Sequence, residues 1–260
     1  MQHNKLIDMK VAIIQNCIRT KELEWTLQFV TDLLDQQPGA DLYVLPEMFA
    51  TGFMAEGAVE HGPQILSWMQ QQASRLNAAV AGSVAIMDDE QQPRNRLFFV
   101  RPDGTYDYYD KHHLFGYAGE TDAYVAGHRR VVVEWRGVRF LLQVCYDLRF
   151  PVFSRNRGDY DAIIYVANWP ASRSEVWHTL VRARALENQC FVIAANISGD
   201  DRAICYYEGD SAIIDAYGHT LAQCTPGRCE SASADLDMES LQRFRTKFPV
   251  LADADDLANF

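Results

Sequence analysis

Apolar runs of strand length alternate with amphipathic helical stretches along most of this chain, and that alternation limits the folds open to it. Lys10–Gln15, Asp41–Pro46, Ala78–Ile86, Arg96–Arg101, Val131–Trp135, Phe140–Val144, Asp161–Ala167, Cys190–Asn196, Ser211–Asp215 and Thr220–Gln223 read as strands. Lys21–Gln36, Pro63–Asn77 and Ser174–Asn188 read as helices; the first carries Leu23, Leu27, Val30, Leu33 and Leu34 near helical spacing. Pro102-Asp103-Gly104 is a turn signal that folds Arg96–Arg101 back into Thr105–Asp110 as a hairpin. Runs that are apolar throughout, such as Ala162–Ala167, suit strands buried on both faces. The expected class is therefore α/β, with helices covering the sheet faces. With 260 residues and no linker, repeat or low-complexity stretch, one domain over 1–260 is expected, its acids gathering in a tail from about 238.

Three of these strands end on groups that can do chemistry. Phe140–Val144 runs into Cys145 and then breaks into the polar turn Tyr146-Asp147-Leu148-Arg149-Phe150-Pro151. A thiol at such an elbow projects into a cleft while the sheet holds it still. The strand at Asp41–Pro46 ends on Glu47, and the one at Thr105–Asp110 ends on Lys111. Together they form a coherent set. The carboxylate takes the thiol proton and later returns it to a leaving amine. The thiolate attacks an amide or nitrile carbon. The ammonium, with a backbone N–H after the nucleophile, stabilises the oxyanion. Each also has a plainer role: Cys145 as core packing, Glu47 as an exposed strand-end charge, Lys111 in a surface pair with Asp110 or Glu120.

The order and spacing of these segments resemble the nitrilase superfamily of C–N hydrolases. Leu45-Pro46-Glu47-Met48-Phe49, Asp110-Lys111-His112-His113-Leu114-Phe115 and Val144-Cys145-Tyr146-Asp147-Leu148-Arg149-Phe150-Pro151 look like its three catalytic segments. Tyr165–Pro170 and Arg182–Gln189 look like its downstream signatures, and Cys-Tyr-Asp-x-Arg-Phe is typical of its bacterial ω-amidase branch. The resemblance implies a Glu47-Lys111-Cys145 triad and a four-layer α-β-β-α sandwich, paired into a homodimer across an outer face. It also implies a second glutamate seven residues before a glycine. Glu120 and Gly127 fit that spacing, while Glu134 reads better as a solvent-facing strand residue.

An ω-amidase-like enzyme hydrolyses the terminal amide of a short dicarboxylic monoamide, such as α-ketoglutaramate or α-ketosuccinamate. The far carboxylate then needs a cation, for which Arg173 is the first candidate and Arg149 the second; Phe53, Phe115, Tyr146 and Trp169 are candidate pocket walls. Asp147 and Arg149 can equally form an ion pair that fixes the elbow. Other C–N hydrolases (a deaminated-glutathione amidase, a carbamoylase, an aliphatic amidase) are the alternatives within the class, and a non-catalytic binding protein is the alternative outside it.

Composition excludes more than it selects. A net charge of −11 argues against binding a phosphate backbone, so no nucleic-acid partner is expected. No stretch approaches the ~20 apolar residues of a membrane span, and Met1–Lys10 lacks the apolar core of a signal peptide. The six cysteines include no Cys-x-x-Cys pair, and His112 and His113 on a strand would point to opposite faces, so no metal or cofactor is expected. Cys17 and Cys190 read as core, and His178 as a packing or surface residue. A cytoplasmic location that keeps the thiols reduced fits this usage.

Overall fold

The computed structural model describes residues 8–18, 22–201 and 205–255. Most of the polar N-terminal segment and the expected helix start at Lys21 lie outside them. The chain runs β1 (Met9–Gln15), α1 (Leu23–Asp35), β2 (Leu42–Val44), α2 (Gly62–Leu76), β3 (Ala79–Met87), β4 (Pro93–Val100) and β5 (Tyr106–Asp110). Then come α3 (Glu120–Ala123), β6 (Val132–Trp135), β7 (Val138–Val144), α4 (Pro151–Ser154), β8 (Ala162–Ala167) and α5 (Ser174–Asn188). The last part holds β9 (Phe191–Asn196), β10 (Ser198–Asp201), β11 (Cys205–Glu208), β12 (Ala212–Ile214), β13 (Thr220–Gln223), β14 (Glu230–Leu236) and α6 (Met238–Lys247).

Two six-stranded sheets carry the architecture, in the orders β14-β1-β2-β3-β4-β5 and β13-β12-β9-β8-β7-β6. Side chains alternate faces along a strand, and the two cores follow that alternation. Val11, Ile13, Leu42, Val44, Leu97 and Phe99 point inward and meet Phe140, Leu142, Val144 and Ile164 of the second sheet. Ala12, Ile14, Tyr43, Leu45, Val80 and Phe98 point outward, against Leu27, Val30 and Leu34 of α1 and Ile65 and Met69 of α2. Helices α5 and α6 pack on the second sheet through Trp177, Val181, Ala185, Met238 and Leu241. The result is the expected α-β-β-α sandwich. Each fully buried aliphatic side chain contributes about 1.5–3 kcal/mol relative to exposure.

Pairing at each sheet centre is parallel, β1–β2–β3 in one and β7–β8–β9 in the other. Because β4 is antiparallel to both β3 and β5, β5 runs the same way as β3. The C-terminal ends of β2 and β5 therefore open on one edge of the first sheet, and those of β7, β8 and β9 on one edge of the second. Such edges are where open parallel sheets place their ligands. Gln15 links the two sheets at the end of β1: its amide donates to the carbonyls of Thr225 and Arg228 and accepts from the N–H of Ser211.

Candidate active site

Glu47 sits in a turn just past β2, pinned to β3 by the Ser83 hydroxyl, which accepts the N–H of Met48 at 2.9 Å. Lys111 leaves β5 with its N–H on the Asn95 carbonyl and its own carbonyl on the N–H of Gly127, both at 2.9 Å. A Cβ at position 127 would run into the Asp110 carbonyl, so only glycine permits this approach. That contact supplies the physical reason for a glycine at a fixed distance after Glu120. The short helix α3 begins at Glu120 and turns its side chain back into the interior, where it is fully buried.

The three charges converge. The Lys111 ammonium donates to Glu47 Oε1 at 2.8 Å and to Glu120 Oε1 and Oε2 at 3.0 and 2.8 Å, with all three side chains wholly buried. Asn95 on β4 donates to both carboxylates, at 2.7 Å to Glu47 and 2.9 Å to Glu120. The backbone N–H of Asn168 donates to Glu47 Oε2 at 2.9 Å, and that of Phe115 to Glu120 Oε2 at 2.6 Å. Buried ions are tolerable only when their remaining lone pairs are met in this way. Burial pulls the Lys111 ammonium down, but Glu47 and then Glu120 outweigh it and hold the group above its ordinary value. The lysine stays cationic. Tyr124, pushed up to about 12 by burial and then by Glu120 and Glu47, stays a neutral phenol.

Cys145 opens the 3-10 turn Cys145–Arg149 with φ at +46°, a left-handed conformation that a β-carbon disfavours. Strain of this kind persists where the surroundings impose it. The sulfur lies 3.9 Å from the Asn168 carbonyl. Burial pushes the thiol well above its ordinary range; Glu47 and Glu120 push the same way, and Lys111 opposes them. At neutral pH the resting group is a thiol, so its proton must leave as the attack occurs. Alkylation of the free enzyme by a small neutral reagent should therefore keep accelerating through and beyond the ordinary thiol range. Raising a thiol's pKa moves the thiolate plateau upward, so a plateau below pH 8 in a mass-spectrometric rate profile would contradict this assignment.

The residues expected as walls fall on the segments that carry these groups. Phe53 lies under Lys111, with Nζ 5.6 Å from its ring centre, and Phe115 and Tyr146 stand 5.0 Å apart. Trp169 is buried and turns its indole N–H onto the Arg173 carbonyl at 2.9 Å. The Arg149 guanidinium lies over Trp169 at 5.0 Å and that of Arg173 over Phe115 at 5.3 Å. Among the described residues neither arginine forms an ion pair, which leaves both charges available to an anion.

Several expectations need correcting. Asp147 does not pair with Arg149: its carboxylate binds His113, Tyr109 and the N–H of Val144. Lys111 does meet Glu120, but in a wholly buried array rather than a surface pair, and Arg96 takes Asp110. His112 and His113 lie in bends after β5 rather than on a strand, each stacked on a phenylalanine. Cys17 is half-buried rather than core, whereas His178 is exposed, as expected of a surface residue, and pairs with Asp210 at 3.1 Å. Glu134 does face solvent. Asn95 and the backbone of Asn168 escaped the sequence reading; the one faint signal was the polar Asn95 between two arginines at the head of an otherwise apolar strand.

A thiol, an ammonium and two carboxylates, gathered where the parallel strands of two mixed sheets end, form a centre suited to nucleophilic attack on carbon. Residues 10–246 match the carbon-nitrogen hydrolase family, and the chain belongs to that family. It is 45% identical over 249 residues to the ω-amidase YafV of Yersinia enterocolitica, covering 95% of this chain and 97% of that protein. It is also 34% identical over 223 residues to the 2-oxoglutaramate amidase of Bacillus subtilis, covering 82% and 85%. In structure it matches XC1258 of Xanthomonas campestris, a CN-hydrolase superfamily protein with an arsenic adduct in its active site. The TM-score is 0.91, the identity 39% and the coverage 96% and 98%.

Proposed function

We propose that this protein is an ω-amidase that hydrolyses the terminal amide of short dicarboxylic monoamides, such as α-ketoglutaramate and α-ketosuccinamate, through a thioester on Cys145. The observation that carries the reading is the buried Glu47-Lys111-Glu120 array beside the Cys145 elbow, together with Arg149 and Arg173, which lie over Trp169 and Phe115 and form no ion pair among the described residues. The similarity to proteins named ω-amidase and 2-oxoglutaramate amidase supports the choice of substrate class.

In this reading Glu47 takes the Cys145 proton as sulfur bonds to the amide carbon. The oxygen becomes an oxyanion facing the Lys111 ammonium and the N–H groups that open the Cys145 turn, which lack partners within the turn. Glu47 then protonates the nitrogen, the C–N bond breaks and ammonia leaves a thioester. Water attacks that thioester, giving its proton to Glu47. The carboxylate product departs, and the thiol recovers the proton. Glu120 keeps Lys111 aimed and does not exchange protons with substrate.

Arg173 and Arg149 would hold the far carboxylate, with Phe53, Phe115, Tyr146 and Trp169 limiting the length of chain between it and the amide. Removing Arg173 should cost about 1.5–3 kcal/mol in kcat/KM for α-ketoglutaramate, the worth of a charged hydrogen bond. A neutral amide of the same length should lose little. Steady-state kinetics of Arg173→Ala on both substrates decides the matter, since equal losses would remove Arg173 from the substrate site. The reading includes a homodimer, supported by the exposed Leu186 on α5, Tyr217 in the turn between β12 and β13, and Phe248 just past α6. It also includes a cytoplasmic location, supported by six cysteines of which none is in a disulfide.

A further inference from the structure

Among the described residues the mechanism leaves one wholly buried carboxylate unused, that of Asp147. Its two oxygens accept four hydrogen bonds. Oδ1 takes the backbone N–H of His113 at 3.0 Å and meets His113 Nδ1 at 2.8 Å. Oδ2 takes the Tyr109 hydroxyl and the backbone N–H of Val144, both at 2.9 Å. The Tyr109 hydroxyl accepts in turn from the N–H of His112 at 3.0 Å. The donors thus come from two particular stretches of chain, each supplying one backbone N–H. His112 and His113 directly follow Lys111, and Val144 directly precedes Cys145.

The rings close the same contact from outside. His113 lies flat on Phe150 with centroids 3.7 Å apart, and His112 on Phe153 at 4.5 Å. Tyr109 belongs to the first sheet and Val144 to the second, so this carboxylate sits across the boundary between them. Burial and the Asp147 charge hold the Tyr109 phenol well above its ordinary value, which keeps it a donor to Asp147.

The geometry points to Asp147 as a positioning residue: by gripping the backbone after Lys111 and the backbone before Cys145, it fixes the ammonium relative to the sulfur. The assignment rests on the Lys111 and Cys145 roles proposed above. It also accounts for an aspartate here rather than an asparagine. An amide offers one oxygen and one NH2, so whichever way it turned, one pair of these donors would face another donor.

The test is Asp147→Asn, with turnover counted per Cys145 that can be acylated, titrated by mass spectrometry after rapid quench. Since misplacement by about 1 Å is enough to cost up to 10²-fold, kcat per acylatable site should fall at least roughly tenfold. KM should move by less than about twofold, because ground-state binding is untouched. Tyr109→Phe, which keeps the ring volume and removes one of the four bonds, should move kcat in the same direction by less. A merely structural carboxylate would lower melting temperature and the number of active sites without changing the rate at each. Wild-type kcat per acylatable site in both variants would overturn the proposal; if Asp147→Asn fails to fold, Tyr109→Phe decides by the same criterion. A wild-type enzyme with no adduct on Cys145 would instead overturn the underlying mechanism, and this proposal with it.

Discussion

Replacing Cys145 by alanine should abolish turnover and leave the fold standing. The expected loss is on the order of 10⁶-fold in kcat, the scale seen when a hydrolase loses its nucleophile. Nothing else in the site can substitute, because the carboxylates of Glu47 and Glu120 are already engaged by Lys111, Asn95 and backbone N–H groups. Stability should change by about 1 kcal/mol, since the substitution removes one sulfur at a pocket wall. The checks are ammonia release from α-ketoglutaramate and circular dichroism on the same sample. An acyl adduct should appear on the wild-type peptide holding Cys145 and on no other. Ammonia release by the alanine variant at more than a trace of the wild-type rate would end the case for a thioester.

Lys111→Met should damage rate and stability together, which separates it from an ordinary ion-pair loss. The ammonium lies between two wholly buried carboxylates, and removing it leaves like charges facing each other away from water. Breaking a buried pair from one side costs about 3–5 kcal/mol, on the order of ten degrees in Tm for a chain of this size. An exposed pair would cost about 0–1 kcal/mol. Loss of one oxyanion donor should lower kcat by a further ~10²–10³-fold. Adding Glu120→Gln to Lys111→Met should restore part of the Tm and none of the rate, because it removes the repulsion without returning a donor. Recovery of both together would mean that Lys111 acts only by holding the carboxylates apart.

What could be read from sequence was whatever declared itself locally. The apolar runs at Phe140–Val144 and Ala162–Ala167 announce strands buried on both faces, and Cys145 at the end of one is visible from the sequence. Helix α5 shows in its full extent, Ser174–Asn188. By contrast, β14 is Glu-Ser-Ala-Ser-Ala-Asp-Leu, small and polar, and it becomes a strand only because β1 offers it an antiparallel edge. The β10–β11 hairpin is similarly polar and owes its form to mutual pairing. Asn95 failed to register because its partners, Ser83, Glu47 and Glu120, meet it only after two strands and a loop have folded around it. Read locally, Asp147 has the cation of Arg149 two residues away as a possible partner. In the structure Arg149 is drawn off to the face of Trp169, and the carboxylate takes donors from a strand exit more than thirty residues earlier.

In the proposed mechanism the chemistry is divided between the two sheets: Glu47 and Lys111 follow strands of the first, Cys145 and Asn168 strands of the second. A slide of one sheet past the other by a single residue displaces every group by about 3.3 Å. That shift is several times the tolerance of a hydrogen bond. Such a slipped sandwich would keep every ladder bond within each sheet, and much of its apolar burial, yet bring no base to its thiol. Turnover in this molecule is thus a gauge of how the halves are seated, far finer than any measure of how much strand or helix has formed.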